Sequence, residues 1–388
     1  MDIAKRLAEV APSATLEISA KAKKMAKSGI DVISFGAGEP DFDTPRHIKE
    51  AAIKAIDEGV TKYTPSSGTP ELRDAIAKKL KSDNSLDYEQ PQIVVSCGAK
   101  HSLYNIFQAI CNEGDEVIIP SPYWLSYPEM VRMAGAKPVY AGTEAENSFK
   151  LTESALRSVI TGRTRALVLN SPSNPTGCVY DKTELGFIAG LAVKHKFFVI
   201  SDEIYEKLIY DGKKHISIAS LGKDIYDLTF TVNGLSKSYS MTGWRIGYAA
   251  GPKDLMGAIS NLQSHATSNP ASMCQAAALA ALTGDQECVA RMREEFEKRR
   301  DAMVGMIGLM RGISCIKPEG AFYVFCDISK TGMGSMEVAT RLLEEAKVAV
   351  VPGTPFGSDR FIRLSFATGM EKIEKGLTRI KGWIEKYG

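Results

Sequence analysis

The sequence predicts an α/β protein with a mostly parallel sheet covered by helices and a second, smaller α+β domain. Between about residues 90 and 235, short apolar runs alternate with helical stretches, which is typical of parallel strands joined by helices. Near the end of the chain, AFYVFCDI, KVAVVPG and FIRLSFA precede an amphipathic helix that starts at about residue 371. A chain of 388 residues also predicts more than one domain, at about 150 residues each.

The composition is that of an ordinary globular protein. Hydrophobic residues make up 44% and charged residues 24% of the chain, which is enough to form large cores. Lys and Arg number 48 against 46 Asp and Glu, so the net charge is +2, and this balance favours no nucleic-acid partner. No apolar stretch reaches the roughly 18 residues of a membrane span, and no apolar secretory segment is apparent. We therefore expect no membrane partner.

The cysteines predict a reducing compartment. There are seven of them, an odd number without any C-x-x-C pair, so a disulfide framework is not expected. Each cysteine is expected to be a small buried apolar residue, and a cytoplasmic location fits best. The sequence contains no P-loop and no H-E-x-x-H motif, and its histidines are scattered. We therefore expect no metal site.

Helix signals come first along the chain. Thr44-Pro45 predicts a capping residue followed by the first helical residue, and Gly59 ends the apolar periodicity that follows. Thr69-Pro70 repeats the signal for a second helix, and the connector KYTPSSG carries Tyr63. Further on, strands are predicted at 93–96, 116–119, 166–169, 197–200 and 229–232, with helices at 101–110 and 182–195.

Polar side chains follow several of these strands. Lys237 comes soon after strand 229–232, at the edge where parallel sheets place ligands. A lysine amine can form a Schiff base there when burial or a nearby cation lowers its pKa. Asp202 follows strand 197–200 with Tyr205 three residues on, and Asn174 lies in the proline-rich loop NSPSNPTG. Taken alone, these patterns also fit a surface lysine, a helix cap and turn residues.

A phosphate site is predicted beside them. Gly98, Ala99 and Lys100 lie between a strand and a helix, so their backbone amides are exposed at a helix N-terminus. Arg245 can add a guanidinium to the same phosphate. Trp124 follows another strand and can cover a flat ring, although core packing explains it equally well. A lysine, a carboxylate, a phosphate cradle and an aromatic together are what pyridoxal 5′-phosphate requires.

The motifs carry a resemblance that covers nearly the whole chain. They are PSAT at 12–15, GAGEPDFDTP at 36–45, KYTPSSGTPELR at 62–73, NSPSNPTG at 170–177, SDEIYEKL at 201–208 and NGLSKSYSMTGWRIGYAAGP at 233–252, followed by VVPGTPFG and FIRLSFA. In this order they resemble class I aminotransferases of fold type I, in the aspartate aminotransferase branch of bacteria and archaea. The resemblance implies a large domain at 46–284 with a mainly parallel seven-stranded sheet. It also implies an N-terminal arm and a small domain formed by 1–45 and 285–388.

The resemblance also implies roles at the cofactor. Lys237 would form the Schiff base and move the proton, and Asp202 would keep the pyridine nitrogen protonated. Tyr205 and Asn174 would bind the 3-hydroxyl oxygen. The remaining expected contacts are Trp124 on the ring, Gly98, Ala99, Lys100 and Arg245 on the phosphate, and Tyr63 on the phosphate of the partner subunit of a homodimer. Many relatives have a phosphate-binding serine where this chain has Gly234, and Ser236 is the candidate to replace part of that contact.

The resemblance also implies contacts to the substrate. Arg363 would bind the α-carboxylate, with Gly38, Asn174 and Trp124 nearby. Lys100 and Thr15 would lie near the distal carboxylate. The expected reaction moves the amino group of L-aspartate to 2-oxoglutarate, giving oxaloacetate and L-glutamate, with prephenate as a further substrate. The alternatives are an aminotransferase for aromatic or neutral amino acids, a C–S lyase of the same fold, and a non-catalytic regulator that binds the cofactor. A half-reaction with aspartate separates a transaminase from the lyase and the regulator.

Overall fold

The computed structural model describes residues 14–387, which form three sheets flanked by helices. The helices are α1 (Ala14–Lys27), α2 (Arg46–Asp57), α3 (Pro70–Asn84), α4 (Ala99–Ile110), α5 (Ser126–Met133), α6 (Glu153–Val159), α7 (Lys182–His195), α8 (Lys223–Tyr226), α9 (Lys253–Ala266), α10 (Ser272–Thr283), α11 (Glu287–Gly308), α12 (Ser335–Arg341) and α13 (Met370–Tyr387). The strands are β1 (Ile33–Ser34), β2 (Ile93–Ser96), β3 (Glu116–Ser121), β4 (Lys137–Gly142), β5 (Thr164–Asn170), β6 (Phe198–Asp202), β7 (Thr229–Gly234), β8 (Gly247–Ala250), β9 (Ser314–Cys315), β10 (Tyr323–Asp327), β11 (Val348–Ala349), β12 (Val351–Pro352) and β13 (Phe361–Ser365).

The largest sheet has seven strands in the order β2-β8-β7-β6-β5-β3-β4. The pairs from β7 to β4 are parallel, whereas β8 runs antiparallel to both of its neighbours, β2 and β7. The α/β class and the mainly parallel seven-stranded sheet are therefore confirmed. Strand β8 was not predicted, because it has only four residues, GYAA, and its mostly small side chains do not form a recognisable apolar run.

Burial of apolar side chains on both faces holds this sheet between helices. Every residue of β7 is buried, and Leu167 and Val199 on the neighbouring strands are fully enclosed. Enclosing an aliphatic side chain of this size contributes about 1.5–3 kcal/mol. One apolar cluster joins the sheet to α4 and α9, and another joins it to α7.

Of the helix starts predicted at Thr69 and Thr44, the first is confirmed and the second is wrong. Helix α3 begins as predicted, since the Thr69 hydroxyl accepts a hydrogen bond from the Leu72 amide over 3.4 Å. The prediction of a cap at Thr44 is wrong, because the capping position is Pro45. The Thr44 hydroxyl instead donates to the Ser240 carbonyl over 2.7 Å and accepts from Trp244 Nε1 over 2.9 Å. This threonine therefore holds the loop after Lys237 rather than a helix end.

The C-terminal part of the chain builds a separate antiparallel sheet in the order β12-β13-β10-β9. Helices α11 and α13 pack beside it around a large buried apolar cluster. Strand β1 pairs in parallel with β11, so residues 33–34 join the C-terminal part. The domain limits 46–284, 1–45 and 285–388 stay a prediction.

A buried polar network lies behind the end of β6, around the carboxylates of Glu203 and Glu206. The carboxylate of Glu203 accepts from the Ser201 and Ser217 hydroxyls over 2.8 and 2.7 Å and meets His215 Nε2 over 2.8 Å. Asn84 Nδ2 donates to Glu206 over 2.8 Å, and Lys79 forms an ion pair with that carboxylate. The two glutamates and His215 lie close enough to hold a metal ion, but these donors already occupy the carboxylate oxygens.

Residues 14–387 contain no helix that combines the length and the apolar character needed to cross a bilayer.

Candidate active site

The candidate site lies where three neighbouring parallel strands end. Asn170 at the end of β5 is the register partner of Asp202 at the end of β6, and Asp202 is in turn the partner of Val232 on β7. The loop after β7 brings Lys237 to the same edge. A cavity of about 690 Å³ opens there, and parallel sheets commonly bind ligands at such an edge.

The structure brings most of the predicted site residues to this cavity. It is lined by Gly38, Ala99, Lys100, Trp124, Asn174, Asp202, Tyr205, Ser236, Lys237, Arg245 and Arg363. Gly98 lies directly beneath the guanidinium of Arg245. Tyr63 lies outside the cavity and is 91% exposed, so its expected contact with a partner subunit stays a prediction. Thr15 belongs to the first turn of α1, and its side chain lies outside the described residues.

The amine of Lys237 is held deep in the cavity. Its Nζ donates to the Gly38 carbonyl over 2.6 Å. The pKa of Lys237 is lowered to about 8, chiefly by burial and with a contribution from the cations Arg363 and Arg245, while Glu39 and Asp202 oppose the change. More of this amine is therefore neutral near neutral pH than of an ordinary lysine, and the neutral form is the nucleophile that Schiff-base chemistry needs.

Asp202 is a buried carboxylate whose hydrogen-bond partners are neutral. Tyr127 donates its hydroxyl to Oδ2 over 2.6 Å, and the Ile204 amide donates to Oδ1 over 3.3 Å. Burial raises the pKa of Asp202 to about 6, although the Tyr127 bond opposes the rise. A cationic N–H placed in the cavity would stabilise the ionised carboxylate, so this residue suits a protonated ring nitrogen.

Tyr127 was not predicted from the sequence as a residue of the site. It is buried and lies one helical turn after Trp124, whose ring it meets edge-on at 5.2 Å. The spacing of three residues in WLSY was the available signal, because side chains three apart share a face of a helix. The predicted stacking residue and the partner of Asp202 therefore come from one short segment.

Tyr323 is a second residue that the sequence did not reveal. Its hydroxyl lies 2.9 Å from the Tyr205 hydroxyl, and its ring centre lies 4.2 Å from the Arg363 guanidinium. A Cβ atom on Gly38 would come within 3.3 Å of the same hydroxyl. Tyr323 thus contacts Tyr205, which is expected to bind the cofactor hydroxyl, and Arg363, which is expected to bind the substrate carboxylate. It also lies beside Gly38, whose carbonyl accepts the hydrogen bond from Lys237.

Arg363 is a buried cation whose described hydrogen-bond partners are uncharged. Its Nη1 donates to Asn174 Oδ1 over 2.9 Å and its Nη2 donates to the Gly36 carbonyl over 3.2 Å, while Nε is buried with no partner among the described residues. Burial lowers the pKa of Arg363, yet a guanidinium stays charged in proteins. A buried charge without a counter-ion is unfavourable, so a carboxylate ligand matches this position in charge and in planar geometry.

The opposite corner of the cavity suits a phosphate. Among the described residues, the amides of Ala99 and Lys100 at the start of α4 have no hydrogen-bond partner. Arg245 Nη1 donates to the Thr242 carbonyl over 2.7 Å, and the guanidinium lies over Gly98, where a Cβ atom would come within 2.4 Å of Nη2. Gly98 has a φ of 90° and leaves room for this arginine, as only glycine does at such a position.

The structure gives a physical reason for Gly234, where the resemblance led us to expect a serine. Gly234 is the register partner of Gly247 across β7 and β8. A Cβ atom at position 234 would lie 3.0 Å from the Gly247 Cα, and one at position 247 would lie 2.1 Å from the Ala99 amide nitrogen. Close backbone packing here brings the start of α4 against the sheet edge. Ser236 lines the same cavity.

Lys100 lies above the predicted stacking residue, with its Nζ 4.8 Å from the ring centre of Trp124. Burial and the nearby Arg245 lower its pKa. The cavity also contains Lys23 and Glu39, which the sequence did not single out, and Glu39 accepts a hydrogen bond from the Thr242 hydroxyl over 2.9 Å. Cations outnumber acids in the cavity lining, which suits an anionic ligand. The cations are Lys23, Lys100, Lys237, Arg245 and Arg363, and the acids are Glu39 and Asp202.

Comparisons with known proteins agree with this geometry. The family model described as aminotransferase class I and II matches residues 30–380. An aspartate aminotransferase of Bacillus subtilis is 50% identical over 100% of both chains. A probable aspartate/prephenate aminotransferase of Aquifex aeolicus is 49% identical over 99% of each chain. A solved aspartate aminotransferase of Thermus thermophilus with maleate superimposes with a TM-score of 0.95 at 45% identity, covering 98% of this chain and 99% of the other.

Proposed function

Because the chain belongs to the class I and II aminotransferase family and is an aminotransferase, we propose that L-aspartate is its amino donor and 2-oxoglutarate its acceptor. The products would be oxaloacetate and L-glutamate. The proposal depends on one observation above all: the Lys237 amine, with a pKa of about 8, shares a cavity with the buried Arg363, whose described partners are uncharged. An α-amino acid carries its amine and its carboxylate on the same carbon, so it fits this pair of groups.

We propose pyridoxal 5′-phosphate as the cofactor. When bound, this cofactor supplies an electron sink that makes the α-proton of an amino acid acidic. Asp202 would hold its ring nitrogen in the protonated form, since the described hydrogen-bond donors to this carboxylate, Tyr127 and the Ile204 amide, are neutral. Tyr205 and Asn174 would bind the ring hydroxyl and Trp124 would cover one face. The phosphate contacts would come from Gly98, Ala99, Lys100, Ser236 and Arg245.

Lys237 would also carry the proton. With substrate bound, Nζ would be a free amine, and its pKa of about 8 suits proton transfer near neutral pH. It would move the proton between Cα of the substrate and C4′ of the cofactor. The Gly38 carbonyl, which accepts from Nζ over 2.6 Å, would keep the amine near the substrate during this transfer.

The substrate would be held at both of its carboxylates. Arg363 would bind the α-carboxylate, with help from Gly38 and Asn174, and Lys100 with Thr15 would bind the distal carboxylate. The relative from Thermus thermophilus was solved with maleate, which is a four-carbon dicarboxylate. The printed name of the Aquifex aeolicus relative includes prephenate, whose ring carboxylate can use the same cation. We therefore propose prephenate as a second substrate.

We propose that the protein works as a cytoplasmic homodimer with shared sites. Tyr63 is 91% exposed, and Ile53 and Ile56 on α2 are 58% and 52% exposed. Apolar side chains exposed together often mark an interface. In a dimer, Tyr63 would reach the cofactor phosphate of the partner subunit. Residues 46–284 would form the large domain, and residues 1–45 and 285–388 would form the arm and the small domain, which closes on the substrate.

The test is a half-reaction followed by a donor panel. The purified protein with its cofactor is mixed with L-aspartate alone, and absorbance reports conversion of the cofactor to its amine form. Alanine and phenylalanine serve as comparison donors, with 2-oxoglutarate as the acceptor. We expect rapid conversion with aspartate and glutamate. No conversion with any amino acid, or release of thiol and ammonia from a cysteine conjugate in its place, would contradict the proposal and favour the C–S lyase.

A further inference from the structure

Two cysteines face each other across the edge of the C-terminal sheet. Cys315 on β9 is the register partner of Cys326 on the antiparallel strand β10. Opposite residues of an antiparallel pair have Cα atoms about 4.5–5.5 Å apart and side chains on the same face. A disulfide spans Cα distances of about 4.4–6.8 Å. The backbone of these two strands therefore already has the spacing that a bridge needs.

We propose that Cys315 and Cys326 are a site of reversible disulfide formation that closes a covalent loop over residues 316–325. The proposal goes beyond the amino-transfer activity and does not depend on it. In a reducing compartment the two residues stay thiols, and a bridge forms only on exposure to a disulfide oxidant, as is usual for cytosolic disulfides.

The two thiols have unequal roles. Cys315 is half-exposed and Cys326 is buried, so a small oxidant meets Cys315 first. A hydrogen bond from Cys326 lowers the pKa of Cys315, and the same bond raises the pKa of Cys326. Cys315 is therefore the better thiolate and the attacking residue, with Cys326 as the resolving residue. Burial raises the pKa of every other cysteine, namely Cys97, Cys111, Cys178, Cys274 and Cys288.

The chemistry balances with oxidised glutathione as the oxidant. The Cys315 thiolate attacks one glutathione sulfur, the glutathione S–S bond breaks, and a glutathione thiolate leaves and takes up a proton. Cys326 loses its proton to solvent and attacks the Cys315 sulfur, which expels the second glutathione. Two protein thiols are oxidised to one disulfide, and one glutathione disulfide is reduced to two thiols.

The enclosed loop has a direct connection to the candidate active site. The amides of Glu319 and Gly320 donate to the Gly177 carbonyl over 3.0 and 2.9 Å, and Gly177 ends the loop that holds Asn174. The same covalent loop carries Tyr323 into the cavity. A bridge between its two ends would restrict this segment in the unfolded chain and so stabilise the contacts that it makes in the folded one.

The experiment treats the full-length protein, with cofactor bound, with oxidised glutathione under native conditions. Intact mass and peptide mapping then locate any bridge. We expect the loss of two hydrogen atoms, a disulfide between the peptides of Cys315 and Cys326, full reversal by a dithiol reductant, and an unfolding midpoint that rises by a few degrees, since the midpoint of a chain this long moves about 2–4 °C or less per kcal/mol. Cys288→Ser, which changes a half-exposed cysteine elsewhere, should leave all of this unchanged.

Cys315→Ser should abolish both the bridge and the rise in the midpoint. If Cys326→Ala folds poorly, the Cys315→Ser variant still decides, because position 315 is half-exposed. A bridge between other cysteines, glutathione adducts without an internal bridge, or no reaction at Cys315 would each overturn the proposal. Amino transfer by the reduced protein is measured separately, so failure of the disulfide and failure of the proposed function cannot be confused.

Discussion

Arg363 on the C-terminal sheet donates a hydrogen bond to the side-chain oxygen of Asn174 over 2.9 Å. This contact joins a strand of the small antiparallel sheet to the loop after β5 of the large sheet. Both side chains are buried, so little water competes for the bond. The residue expected to bind the substrate carboxylate and a residue expected to bind the cofactor are thus in direct contact before any ligand arrives.

Replacing Lys237 by alanine should abolish amino transfer. The variant has no amine to link the cofactor or to move the α-proton, and loss of a positioned general base alone costs about 100- to 10,000-fold. Borohydride reduction of the wild type followed by peptide mapping should find the cofactor on Lys237. Lys253→Ala, which removes an exposed lysine, is the control. A reduced adduct on another lysine would disprove the assignment.

The Asp202→Asn variant should bind the cofactor with much lower turnover, because an amide cannot stabilise a cationic ring nitrogen. Its cofactor-free form should be more stable than the wild type at neutral pH. The pKa of Asp202 is raised to about 6 from 3.8, so the carboxylate favours folding below pH 4 and loses that contribution as pH rises through about 6. Chemical unfolding at pH 7.5 should show a gain of about 1–3 kcal/mol, at 1.36 kcal/mol per pKa unit.

The same comparison at pH 4 is the internal control for Asp202→Asn. In the folded protein both residues are then neutral, so the difference in unfolding free energy should shrink. An equal difference at the two pH values would show that the substitution acts through packing and not through charge.

Arg363→Lys should raise the KM for every amino acid donor. A lysine cannot form the two parallel bonds of a guanidinium with a carboxylate, and loss of one charge-assisted bond costs about 1.5–3 kcal/mol, or roughly 10- to 150-fold. Steady-state kinetics with aspartate, glutamate and phenylalanine measure the effect. Arg360→Lys, at an exposed ion pair with Asp327, is the matched control. A change confined to one donor would mean that Arg363 reads the substrate side chain.

Lys100→Ala should weaken dicarboxylate substrates selectively. If Lys100 binds the distal carboxylate, kcat/KM for aspartate should fall roughly 10- to 150-fold, while that for alanine or phenylalanine changes little. Equal losses for all donors would instead assign Lys100 to the phosphate, since it also lies at the N-terminus of α4.

The buried network behind β6 should make the fold sensitive to acid. Burial alone would raise the pKa of Glu206, but Lys79 and His215 outweigh it and hold the pKa at about 2, below the usual 4.5. The stability from this carboxylate is therefore complete above pH 4.5 and is lost as pH falls towards 2. Glu206→Gln should flatten the decline of the unfolding midpoint between pH 5 and 3. Glu374→Gln, on the exposed face of α13, should not.

The sequence alone was sufficient to predict which site residues lie together at the strand ends. Lys237 and Asn174 follow β7 and β5, and Asp202 ends β6. Strand ends of a parallel sheet share an edge, so the meeting of these residues in one cavity follows from their order along the chain. Tyr323 could not be found in this way. It reaches the cavity because β10 pairs with β13, where Tyr323 is opposite Ser365 and Phe325 is opposite Arg363. That register is set by tertiary packing and not by any local pattern.

Local signals also failed where a side chain had a better partner far away. Thr44 has the residue type and position of a helix cap, yet it bonds to Ser240 and Trp244, about 200 residues along the chain. Tyr127 was within reach, because its spacing from Trp124 follows the helical repeat. Its contact with Asp202 depends on where α5 lies relative to β6, which the spacing does not encode.

The buried Arg363, whose described hydrogen-bond partners are uncharged, also links the stability of the fold to the supply of substrates. Its Nε is buried with no described partner, so a small carboxylate bound at this guanidinium would bind the folded chain and not the unfolded one. By mass action, a ligand at a hundred times its dissociation constant adds about 2.7 kcal/mol to stability. The abundance of amino and oxo acids around the enzyme would then set how long each molecule survives heat and proteolysis, and starvation for these acids would shorten its lifetime before it slowed its turnover.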